Sequence, residues 1–74
     1  MSGGYFYLVH FPDGTEAVYN IIGTVVEPGT EILPSWIVTK IELYGDEING
    51  VPVSFEAWVE PKPPEEPIVV AMHP

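Results

Sequence analysis

Few residues in this 74-residue chain are of types that do covalent or metal chemistry. The serines are Ser2, Ser35 and Ser54, the histidines are His10 and His73, and there is no cysteine. Triad members assemble in space, so nothing in their sequence positions argues for one. His10 stands inside the aromatic run YFYLVHF and reads as a structural histidine with a bonded ring nitrogen. His73, next to the last residue, reads as part of a frayed terminus. Two histidines without ligand spacing make a poor zinc site. The loop GDEING over 45–50 is rich in oxygen, but Ile48 stands where a calcium loop needs a side-chain ligand. Glu42 and Glu56 are the carboxylates most readily brought together, yet a glycosidase must hold such a pair around a sugar cleft, and a chain this small has little room for one. The sequence therefore predicts no enzyme, no cofactor and no metal.

What remains is charge, with one misplaced aromatic. Eleven Asp and Glu stand against Lys40 and Lys62, with no arginine, for a formal net charge of −9. Nucleic acid and anionic membranes are excluded as direct partners, because binding them requires cations against phosphates. A basic protein surface is the complementary partner. The plainer alternative is that the carboxylates keep a small hydrophobic sheet soluble and guard its edges. Trp58 decides which matters: by alternation it falls on the same face as Ser54, Glu56 and Glu60, where a large aromatic has no core reason to be. Either a second layer covers it, formed by the first hairpin or a C-terminal strand, or it is an interface anchor rimmed by acid. The candidate partner-binding set is Trp58, Glu56, Glu60, Glu42 and Tyr44.

Two strand-like runs must position these residues, WIVTKIELY and VPVSFEAWVE, facing each other across GDEING. In the second run Val51, Val53, Phe55, Ala57 and Val59 alternate with Pro52, Ser54, Glu56, Trp58 and Glu60, the period-2 pattern of a half-buried strand. In the first, Ile37, Thr39, Ile41 and Leu43 are assigned inward, with Lys40, Glu42 and Tyr44 outward. Asn49-Gly50 is the strongest two-residue hairpin signal. Paired without interruption, it would set Glu42 and Lys40 on the face of Phe55 and Val59, a one-residue slip. A bulge near Gly45, or a six-residue loop over 45–50, restores Leu43 to Phe55 and Ile41 to Ala57.

Taken in order, residues 1–4 carry no fold information, and 5–60 form the predicted domain. Tyr5–Phe11 has no polar face and predicts a strand covered on both sides, or one whose second face is an interface. Pro12-Asp13-Gly14-Thr15 is a turn signal, and Glu16–Ile22 returns as its partner strand. Thr24–Glu27 and Thr30–Leu33 offer short strands around a Pro28-Gly29 turn; beyond them, strand is favoured over one helical turn near Ser35. Residues 61–74 form a Pro-rich arm, PKPPEEP, followed by the apolar strand IVVAM, which docks on its own sheet or exchanges onto a neighbour's. Exchange would make Ile68, Val69, Val70 and Met72 an oligomer contact, giving a homodimer or higher oligomer. The expected fold is all-β, a small barrel or two-layer sandwich of about five to six short antiparallel strands. No apolar run reaches the ~20 residues of a membrane span, and the lack of cysteine and of an apolar leader points to the cytoplasm.

The function so predicted is a small acidic interaction module for a basic protein surface. Carboxylates two apart on a strand lie ~7 Å from each other, a spacing in the range of successive phosphates, so an acidic β-domain can mimic nucleic acid as small phage-type inhibitors do. That analogy rests on size and charge. The alternative is a self-assembling structural or decoration subunit using the C-terminal arm.

Overall fold

The computed structural model describes residues 4–63. They form five strands and no helix: β1 Tyr5–His10, β2 Glu16–Ile21, β3 Glu31–Leu33, β4 Trp36–Ile48 and β5 Val51–Pro61. The all-β class is as the sequence implies, but the strands make a single sheet in the order β2-β1-β5-β4-β3, rather than a closed barrel or two layers. One pairing also departs from the antiparallel expectation. β1 lies parallel to β5, with Tyr7 beside Phe55 and His10 beside Trp58. Parallel neighbours need a long crossover, and β2, β3 and β4 supply it. The Pro-rich arm and the strand expected at Ile68–Met72 lie outside the described residues.

The β4–β5 hairpin turns on Asn49 and Gly50, both at positive φ (53° and 82°), as a primed turn requires. Its register carries two bulges. One falls between Leu43 and Asp46, where Gly45 takes φ 75°, and it sets Leu43 opposite Phe55 and Ile41 opposite Ala57, the expected pairs. The second, at Thr39, has no glycine to announce it. It shifts the alternation by one, so that Val38 enters the core while Ile37 pairs with Glu60 on the other face and Thr39 is exposed. The Thr39 hydroxyl donates to the Trp58 carbonyl at 3.2 Å.

β1 and β2 pair from Tyr5–Ile21 to His10–Glu16. The turn between them is closed by Phe11 N–H to Thr15 O and by Asp13, whose Oδ1 accepts from the Thr15 backbone and hydroxyl. Residues 24–27 form no strand; Val26 instead packs against the core, and Thr30 N–H to Glu27 O closes the Pro28-Gly29 turn. β3 joins β4 through Pro34 and Ser35, the latter at φ 74°, in place of a helical turn. Tyr7, Val9, Ile32, Val38, Ala57 and Val59 form the core on one face. β5 separates β1 from β4, placing them about 10 Å apart in a flat sheet. Phe11 nevertheless meets Trp36 edge-on with centroids 4.9 Å apart, so the sheet coils around its core face.

Candidate interaction face

The opposite face carries the polar cluster. In β5 the even-numbered residues Ser54, Glu56, Trp58 and Glu60 share this side, and β5 lies between β1 and β4, so each side chain has a neighbour on either flank. Trp58 sits between His10 and Lys40; Glu56 sits between Leu8 and Glu42. The His10 ring stacks on Trp58 with centroids 4.8 Å apart and planes 14° from parallel. Lys40 Nζ lies over the same indole, 4.8 Å from its centroid, within the range of a cation–π contact.

These rows join into one network. His10 Nδ1 faces Glu16 Oε1 and Nε2 faces Glu56 Oε2, both at 3.1 Å, bridging β2, β1 and β5. Lys40 Nζ pairs with Glu42 Oε2, also at 3.1 Å. His10 and Glu56 are sheltered, with side chains 23% and 21% exposed, while Glu16, Glu42, Lys40 and Glu60 stand in solvent. The two nitrogens of an imidazole point away from each other, so Glu16 and Glu56 do not converge with His10 on one point. Among the described residues no group of three or more His, Cys, Asp or Glu is arranged to hold a metal ion.

Of the predicted set, Trp58, Glu56, Glu42 and Glu60 thus lie on one face, with Glu60 opposite Ile37 at its end. Tyr44 falls in the Gly45 bulge, opposite Ser54 and half-buried, where the alternation that assigned it outward is interrupted. Trp58 is not roofed by the first hairpin, which lies beside it in the same sheet. Its neighbours His10 and Lys40 account for its partial burial. Sequence reasoning missed His10 and Glu16 as members of the cluster; it set Lys40 outward beside Glu42 but left it out of the partner-binding set. Closing the hairpin over 11–15 sets His10 opposite Glu16, so that pair carried a signal; the approach of His10 to Trp58 depends on the parallel β1–β5 contact and carried none.

Comparison with protein-family models, curated proteins and solved structures finds no match.

Two carboxylates elsewhere are held low by hydrogen bonds. Glu31 is held below its ordinary value of 4.5 by the Ser35 N–H donated to Oε2 and by the Lys62 ammonium at 3.1 Å. Asp13 is lowered from 3.8 by its bonds from Thr15. Asp13 braces the β1–β2 turn, and Glu31, the first residue of β3, ties the β3–β4 turn to Lys62.

Proposed function

We propose that this protein is a small acidic interaction module that docks a basic protein surface on the face around Trp58, as a nucleic-acid mimic of the phage-inhibitor kind acting in the cytoplasm. The observation that carries the reading is the Lys40 ammonium over the Trp58 ring with a carboxylate, Glu42, at 3.1 Å. The face already holds one cationic side chain between an aromatic plane and an acid. A partner's lysine or arginine finds the same two features, with Glu56 and Glu60 flanking Trp58 along β5 at about 7 Å. The net charge of −9 speeds approach of a basic partner, and Trp58 supplies the apolar anchor typical of interface centres.

The test is capture from a host-cell lysate, comparing the native chain with the triple variant Trp58→Ala, Glu56→Gln, Glu60→Gln. The expected result is a nucleic-acid-binding protein retained at low salt, displaced by added duplex DNA and lost with the variant. Recovery of nothing but the chain itself, with both forms behaving alike, would sink the reading.

A second reading, a self-assembling structural or decoration subunit, is supported by the outer edges of β2 and β3, which have no partner strand among the described residues. It would need no acidic face, and its assembly would persist in high salt.

A further inference from the structure

The core face is not closed along its whole length. At one end Phe11 seals it against Trp36. Toward the other, large apolar side chains stand open: Leu43 is 80% exposed and Tyr5 58%. They are not scattered. Leu43 is the cross-strand partner of Phe55, and Tyr5 meets the Phe55 ring edge-on at 5.7 Å. Beside Leu43 and Phe55 lies a groove of about 270 Å³ lined by Val26, Ile41, Glu42, Leu43 and Phe55. Contiguous exposed apolar surface of this kind marks a place that something covers.

The length and composition of the chain beyond Pro63 point to the occupant. β5 is pinned at its exit: Lys62 N–H donates to Ser35 O at 2.7 Å and its ammonium pairs with Glu31 at 3.1 Å. Six steps of extended polyproline from Lys62 carry Ile68 about 19 Å. Seven steps back along β5 from Lys62 to Phe55 cover about 23 Å. A chain that reverses at Pro63 takes one of those steps outward and five back, which brings Ile68 about 12 Å back from Lys62, near the level of Trp58, and the four steps from Ile68 to Met72 run a further ~13 Å, past Phe55 and across the groove. Residues 68–72, IVVAM, contain no polar side chain, whereas the tether before them carries Glu65 and Glu66.

We infer that Ile68–Met72 of the same chain docks in this groove, against Val26, Ile41, Leu43 and Phe55. The same chain is favoured over a second copy because a tether whose length matches its span gives an effective concentration on the order of millimolar. The inference concerns the face opposite Trp58 and stands apart from the partner-binding reading.

Because the chain has no cysteine, introduced pairs report without ambiguity. Leu43→Cys is combined in turn with Ile68→Cys, Val69→Cys, Val70→Cys, Ala71→Cys and Met72→Cys in the full chain, under mild oxidation at micromolar protein. The expected product is a monomer with an internal disulfide. Its yield should alternate along the segment and, at the best position, exceed by about tenfold that of the same cysteine paired with Asn20→Cys on the other face. Disulfide-linked dimers as the main product, or yields no higher than with Asn20→Cys, overturn it. Val70→Asp gives an independent reading: a Tm lower by roughly 4–8 °C with increased binding of an apolar dye is expected, and an unchanged Tm and dye signal counts against docking.

Discussion

Glu42 and Glu56 face each other across β4 and β5, a placement in which like charges destabilise a sheet. Each has its own nitrogen partner: Lys40 pairs with Glu42, and the His10 ring lies 3.1 Å from Glu56. His10 has carboxylate oxygens at both nitrogens, and only the imidazolium can donate to both at once. Lys40 serves two partners, an acid and the Trp58 ring, and its removal uncovers both. Lys40→Met keeps an apolar stem against the indole and loses only the charge. We expect a destabilisation of about 0.5–1 kcal/mol in urea unfolding at low salt. Adding Glu42→Gln to that variant should recover part of the loss, because the opposed charge pair is then gone. A double variant no more stable than Lys40→Met would show that the facing carboxylates do not repel.

Among the elements, β4 and β5 determine which residues share a face, and two bulges decide it. The bulge at Gly45 was legible because an uninterrupted Asn49-Gly50 hairpin would have buried Glu42 and Lys40. The one at Thr39 was not, since Ile37 and Val38 are equally apolar and either parity reads as sensible. The β3–β4 turn adds a titratable clip: Glu31 accepts from Ser35 N–H and pairs with Lys62, tying the turn to the exit of β5. A carboxylate whose folded pKa is depressed contributes stability above its unfolded value and loses it as pH falls through the folded one. For Glu31 the contribution is therefore whole above about 4.5 and fades below it. Thermal melts of the native chain and Glu31→Gln should differ at pH 7 and converge in acid, at pH values below 4.5. A gap that stays constant down to the lowest pH would mean the clip is not electrostatic.

At the scale of the whole molecule, a net charge of −9 on 74 residues is a steady repulsion that the core has to outweigh. A domain this small buries only ~60% of the surface of its unfolded chain, so that repulsion is a sizeable part of its stability. Screening should reveal it. Raising salt from about 10 mM to about 500 mM shrinks the Debye length from about 30 Å to a few Å; the Tm is expected to rise while capture of a basic partner weakens. A Tm that falls instead would place the greater weight on the ion pairs of the polar face, which salt screens in the same way. The alternative of hydrophobic assembly predicts association that holds or strengthens as salt is raised.

Local chemistry determined what could be read without the fold. Period-2 alternation gave the faces of β5, and Asn49-Gly50 and Pro12-Asp13-Gly14 marked the hairpins. These are properties of neighbours in the chain. The tertiary structure alone decided that β1 runs parallel beside β5, bringing His10 to Trp58 and Glu56 across 46 to 48 positions of sequence, and that one coiled sheet replaces a barrel or two layers. Which strands become neighbours depends on how the whole apolar surface is best buried at once, and no local pattern contains that sum.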